Sequence, residues 1–276
     1  MKNSKNPDKS NSSYTHLYGD PSTENLDSSE LADYLRGKSI FRKIEVRESL
    51  VKNYSGSIED LAEKFARARV RNLEAPKADF EPLLGEIRFE EELVQNPAKK
   101  VSGILYDGPS LMRVFSELLP EDEKNLSHLH VIYTNRLFGT WDQSDHRYHA
   151  RVSIYGFPSI ISTTGIVEAP AKPKEFYQLK RRYAARGQSI PIEDLKKKFQ
   201  DRFIDYDDER LTEVMKGYLM QAVFHYFTSN PFCDDENCRL FNAHWQEEVL
   251  KAQLTKPEFC LEHEKTIEEW KKRFSS

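Results

Sequence analysis

Cys233 and Cys238 bracket Asp-Asp-Glu-Asn, and Cys260 stands three residues before His263. C-x4-C followed by C-x2-H places two short-spaced pairs of donors on two tight turns, the pattern of a zinc site with Zn–S near ~2.3 Å and Zn–N near ~2.0 Å. Sulfur donors favour zinc over magnesium or calcium. Three thiolates and one imidazole fill a tetrahedral ion and leave no position for water, so the expected zinc is structural. The chain has only three cysteines. An odd count, with no apolar export-type run at the start, argues against a disulfide framework. His244 lies between the two pairs as a rival fourth ligand, but the spacing favours His263. The plain alternative is three buried thiols and a surface histidine.

Other residues carry weaker signals. Asp142, Asp145, His146 and His149 cluster in WDQSDHRYH. His146 and His149 can share an ion only if His146 stays in a loop, because positions three apart on a strand face opposite ways. His225 sits on a long apolar helix, where a lone histidine is commonly a satisfied core residue. His244 with Glu247 and Glu248 has the helical spacing that suits an imidazole held by a carboxylate, and equally that of a solvated face. Glu168, before Pro170 and Pro173, could line a cleft with Arg136 and Lys172 as anion-binding groups, or belong to a stiff loop. If the chain is an enzyme, His146, His149, Glu168, His225 and His244 are the candidate ligands or acid–base groups. Ser162, Thr163 and Thr164 have no serine-hydrolase arrangement around them, and neither a P-loop nor a GxGxxG fingerprint is present.

The elements that must position these groups alternate. Residues 1–26 are rich in Asn, Ser, Lys and Pro and read as a disordered polar tail. Asp27 and Glu30 have capping-box spacing ahead of a helix stopping at Gly37. Ile40–Val46 reads as a strand, and Ser57 caps a helix with Ile58, Leu61, Ala62, Phe65 and Ala68 on one face. Residues 71–100, punctuated by Pro76, Pro82 and Pro97, read as irregular. Val101–Tyr106 reads as a strand, followed by a helix closed by Pro120. Leu129–Thr134, Tyr148–Tyr155 and Ser159–Thr163 read as further strands, the first two joined by a polar loop over 135–147. Beyond Pro173 the pattern is helical, over 174–186, 192–203, 208–229, 243–255 and 262–274. The expected fold is α/β (α+β) with one mixed sheet. It forms a single domain over 27–276, mixed α/β to residue 170 and helical from 171.

Composition bounds the function. The 276 residues are 38% apolar and 12% aromatic, enough for a core, and the net charge of −4 argues against a whole-chain nucleic-acid binder. Residues 172–202 are the exception, with ten Lys/Arg against four Asp/Glu interleaved with aromatics. They could hold RNA or another polyanion, or form two amphipathic helices with solvated basic faces. No apolar run has the length of a membrane span. The expectation is a cytoplasmic protein with no membrane partner.

The runs NPFCDDENC, NAHWQEE and PEFCLEHE resemble the C-terminal zinc region of archaemetzincin-like proteins. TNRLFGTWD and YHARVSIYGFPSIISTTGIVEAPAKP are similar to an uncharacterised archaeal family of metallopeptidases, a likeness that runs from about residue 100 onward. The resemblance implies a metzincin-like mixed sheet, a peptide or protein substrate, and a catalytic zinc on HExxHxxGxxH directly before C-x4-C-x-M and C-x2-C. Anchored on Cys233, the three histidine positions fall on Ala222, Tyr226 and Phe232. The glutamate falls on Val223, the glycine on Ser229, the methionine on Leu240 and the last cysteine on His263. The structural zinc half carries over and the catalytic half does not. The resemblance therefore implies a metallopeptidase-like protein degenerate at its usual catalytic zinc, or a non-catalytic zinc-stabilised binding module.

Overall fold

A computed structural model describes residues 13–52, 54–189 and 191–274. Among them are ten α-helices and eight strands in two sheets, a mixed α/β architecture where one sheet was expected. The larger sheet has the order β2(Lys43–Arg47), β1(Tyr14–Tyr18), β4(His128–Thr134), β8(Ser159–Ser162), β7(Ser153–Ile154). Its first four strands run parallel, and β7 closes the edge antiparallel to β8. The smaller sheet is β3(Leu105–Asp107), β5(Leu137–Asp142), β6(Arg147–Arg151).

The tail reading fails where it meets β1. His16, Leu17 and Tyr18 are buried and β1 lies between two parallel neighbours. Its polar composition hides this, because Thr15 and His16 occupy positions that an apolar residue fills in an ordinary buried strand. The rest of that tail, residues 1–12, lies outside the described residues. Leu17, Leu129, Val131, Tyr133 and Ile161 point to one face, and Tyr18, Ile132 and Ile160 to the other, as a two-residue period requires.

Helices cover both faces. On one, α2(Ile58–Arg67) brings Leu61 and Phe65 and α4(Gly108–Glu117) brings Leu111 and Phe115. Ser57 and Asp107 cap them, each accepting from a backbone N–H of the first turn. On the other face lie α1(Ser28–Lys38), capped by Asp27 and ending at left-handed Ser39, and the central α8(Leu211–Thr228). Twelve residues of α8 are buried on nearly all sides, so it carries no amphipathic stripe. α9(Gln246–Leu254) and α10(Leu261–Phe274) pack beside it. The expected starts of these helices at 208 and 243 move inward to 211 and 246.

Three further segments differ from expectation. α3(Leu84–Gln95) fills part of the supposedly irregular 71–100, and its Glu90 is fully buried. Arg69 and Arg136 both pair with that carboxylate, at 2.6 and 2.5 Å, and the Tyr106 hydroxyl donates to it at 2.7 Å. The loop expected over 135–147 contains β5, and the strand expected over 148–155 splits between the two sheets as β6 and β7. Ser162 ends β8 and caps a short helix, α5(Thr163–Glu168), its hydroxyl accepting from the Gly165 N–H at 2.7 Å. α6(Lys174–Ala185) and α7(Ile192–Phe199) form a basic pair around their own small core of Phe176, Leu195, Phe199 and Phe203.

Candidate metal centre and cleft

The C-terminal donors meet because three local devices steer the chain after α8. Ser229, at φ 60°, ends the helix with its N–H bonded to the His225 carbonyl. The Cys233 N–H then donates to the Leu240 carbonyl and the Cys238 N–H to the Asp235 carbonyl, which closes the first cysteine turn. The Arg239 N–H donates to the Glu258 carbonyl at 2.9 Å and ties that turn to the segment leading into Cys260. His263 follows on the first turn of α10. The result is a group whose ligand atoms all lie within 4.8 Å of one another: Cys233, Cys238, Cys260 and His263.

Within it, the Cys260 sulfur is 3.0 Å from His263 Nδ1 and 3.9 Å from the Cys233 sulfur, and the Cys238 sulfur is 3.8 Å from the same Nδ1. Edges of this size surround one tetrahedral ion with thiolate and imidazole donors. Cys238 is fully buried and the other two cysteines are half-buried. Burial and the neighbouring thiols push the Cys233 thiol up to about 12, burial raises Cys238, and burial lowers His263. A divalent cation reverses that order by holding the sulfurs as thiolates. The donor set fits zinc.

The turn rests on a buried charge. Arg239 is fully buried and pairs with Glu213 of α8 and with Glu258, the latter at 3.4 Å. Glu258 also accepts from Lys38 at 2.8 Å and from the Tyr34 hydroxyl at 3.0 Å, so the cysteine region is bound to α1 as well as α8. Two of the Arg239 nitrogens, Nε and Nη1, have no partner among the described residues.

Beside this centre a cleft of about 400 Å³ lies between the β7 edge, α8 and the chain on either side of the cysteine turn. Its wall includes Arg151, Tyr155, Gln221, His225, Phe232 and His244. Gln221 is fixed: it accepts from the Tyr155 hydroxyl at 2.5 Å and donates to the Phe241 carbonyl at 3.2 Å. The rings of Tyr155 and His225 are 6.0 Å apart. Polar groups converging on an apolar wall of this size are what a ligand-binding cleft requires.

The weaker candidates divide. His225 and His244 line the cleft together but join no group of three or more metal donors among the described residues. The Glu248 carboxylate accepts the backbone N–H groups of His244 and Trp245, so it caps α9 and the expected imidazole–carboxylate pairing gives way to capping. His149 bonds Asp145 at 2.7 Å in the β5–β6 hairpin, while His146, at φ 51°, stands near Trp141 and is outside the Asp142–Asp145–His149 group. Glu168 is exposed at the end of α5 and accepts from the Tyr206 hydroxyl at 2.9 Å, so it does not line the cleft. Arg136 is buried on Glu90 and cannot serve an anion there. Lys172 donates to the Val167 carbonyl at 3.3 Å. Of the positions aligned with a catalytic zinc motif, Ala222 and Val223 are in the core, the Tyr226 hydroxyl donates to the Leu126 carbonyl, and Phe232 alone faces the cleft.

One group was missed: His16, Glu123, His128 and His130 also bring their ligand atoms within 4.8 Å of one another. The period-two pair His128 and His130 signals a shared strand face, but nothing local links it to His16, 112 residues away.

A family model described as "Probable metallopeptidase family (DUF6775)" matches residues 11–270. A crystal structure of a zinc-dependent peptidase from Methanocorpusculum labreanum (strain Z) is similar at 10% identity and a TM-score of 0.46, covering 92% of this chain and 99% of that one. No curated protein matches. Among the described residues, no helix is long and apolar enough to cross a membrane.

Proposed function

The chain belongs to the probable metallopeptidase family DUF6775, and on that premise we propose that it is a zinc-stapled polypeptide-binding protein without the hydrolytic zinc of an HExxHxxGxxH helix. The observation that carries the reading is the Cys233–Cys238–Cys260–His263 group beside the cleft. Zinc held there fixes the turn that follows Pro231 and Phe232, two residues of the cleft wall. When bound, the ion supplies structure, since its four protein donors leave no position for water.

The ligand class follows from the wall. β7 is an edge strand of the larger sheet, and Ser153 and Ile154 line the cleft. An extended polypeptide can continue such an edge by main-chain hydrogen bonds while side-chain pockets select its residues. Phe232, Phe241 and Tyr155 offer apolar contacts, and Arg151 and His244 polar ones. The archaemetzincin resemblance agrees with a peptide ligand, and Ala222, Tyr226 and Phe232 supply no imidazole to hold a second zinc at the aligned positions. The polyanion alternative draws less support: Phe176, Phe199 and Phe203 are buried against one another, away from any base.

The test combines binding with cleavage. Fluorescent unfolded polypeptides should bind the zinc-loaded chain, binding should weaken at least tenfold in Phe232→Ala, and the polypeptides should stay intact. Chelator-sensitive cleavage that survives Cys238→Ser would instead place a working catalytic metal in the protein. Retention on RNA that falls steeply with salt, with no polypeptide binding, would favour the polyanion reading.

A further inference from the structure

We propose that His16, His128 and His130 form a second metal site, separate from the cysteine centre, which takes a divalent transition ion of the zinc, nickel or copper group on imidazole donors. β1 and β4 run parallel with His16 opposite His130 and Tyr14 opposite His128. Residues two apart on a strand share a face, so the register alone puts the three rings side by side. Glu123, from the turn just before β4, comes to the same place, and its carboxylate is 3.8 Å from His16 Nε2. His16 and His130 are buried and His128 is half-buried, which leaves an approach from solvent.

Two of the three rings are held from outside through one nitrogen. His16 Nδ1 is 3.1 Å from a Glu45 carboxylate oxygen, which places the ring N–H there and leaves Nε2 as the inward lone pair. His130 Nε2 faces the Glu123 carbonyl at 3.3 Å, so its N–H lies on that side and Nδ1 carries the lone pair, met by the Tyr18 hydroxyl at 3.1 Å. His128 Nδ1 faces His16 Nε2 at 2.8 Å. A tetrahedral ion with bonds of about 2.0 Å spaces its nitrogens by about 3.3 Å, so uptake opens this pair by roughly half an ångström. Arg47 holds Glu123 and Glu45 together at 2.6 Å, which leaves the imidazoles as the principal donors. Imidazole donors without sulfur suit zinc, copper and nickel.

The experiment uses the full chain already carrying one zinc and titrates it with Zn²⁺, then Ni²⁺, by calorimetry and elemental analysis. One further equivalent per chain is expected, weakened at least tenfold in His128→Gln and unchanged in His149→Gln, which alters the exposed hairpin group. With Co²⁺ in the apo chain, the cysteine centre gives a thiolate charge-transfer band and the histidine centre does not. Uptake that depends on His128 without any thiolate band would overturn the cysteine reading and leave this one standing. Copper electron paramagnetic resonance on the unaltered chain, showing coupling to three nitrogens, would support the site even if His128→Gln failed to fold. No uptake beyond the first equivalent, equal uptake by His128→Gln, or loss of uptake in His149→Gln would overturn the proposal.

Discussion

Gly217→Ala separates local propensity from packing. Gly217 lies inside α8, where alanine is the better helix former by about 1 kcal/mol. A Cβ built on Gly217, however, would fall 1.6 Å from Oε1 and 2.4 Å from Cδ of Gln253 on α9. Gln253 is buried, and its Nε2 donates to the Arg239 carbonyl at 3.1 Å, next to Cys238. Making room means displacing that amide. Overpacking a filled site costs about 1–3 kcal/mol, and the lost hydrogen bond costs about 1 kcal/mol. Against the propensity gain of about 1 kcal/mol, the net expectation is a loss of about 1–3 kcal/mol. Urea unfolding of zinc-loaded protein measures it, and the melting temperature should fall by about 2–4 °C per kcal/mol. Adding Gln253→Ala to the variant should recover part of the loss by removing the clash. A Gly217→Ala protein as stable as its parent, or more stable, would refute the contact between α8 and α9 on which the cysteine turn rests.

Glu90→Gln should destabilise by about 3–5 kcal/mol in denaturant titration, because it leaves Arg69 and Arg136 facing each other without a counter-charge. Cys238→Ser should cost several kcal/mol and abolish the chelator sensitivity of the melting temperature, since zinc binding and folding are coupled. Acid should weaken the protein through Arg239. Burial raises the Glu258 and Glu213 carboxyls, but hydrogen bonds from Lys256 and Lys38 to the first, and from Lys216 and Arg239 to the second, outweigh it; Glu258 lies at about 2 and Glu213 below its ordinary 4.5. Carboxyls lowered in the folded state contribute stability that is complete above about 4.5 and lost as pH falls toward 2. The slope of stability against pH over that range should flatten in Glu258→Gln, and an unchanged slope would exclude this pairing.

Local signals were legible in the sequence where one turn or one helix face carries them. Asp27 and Ser57 cap the helices they were expected to cap, and the cysteine spacing brings its four donors together. The alternating β–α order gave a mixed α/β protein. Signals spread over distant segments were not legible. β1 is disguised by Thr15 and His16, whose burial depends on neighbours far along the chain. α3 starts at Leu84, between two prolines, and its cap residue Leu83 has no side chain that can accept a hydrogen bond. The capping role of Glu248 and the burial of Arg136 on Glu90 are long-range or backbone contacts that spacing alone does not distinguish from functional ones.

X-ray absorption at the zinc edge, on protein loaded with a single equivalent, reaches the central claim most directly. Three sulfurs near ~2.3 Å and one nitrogen near ~2.0 Å are expected, with the sulfur shell lost in Cys238→Ser. A shell of nitrogen and oxygen alone would contradict the account.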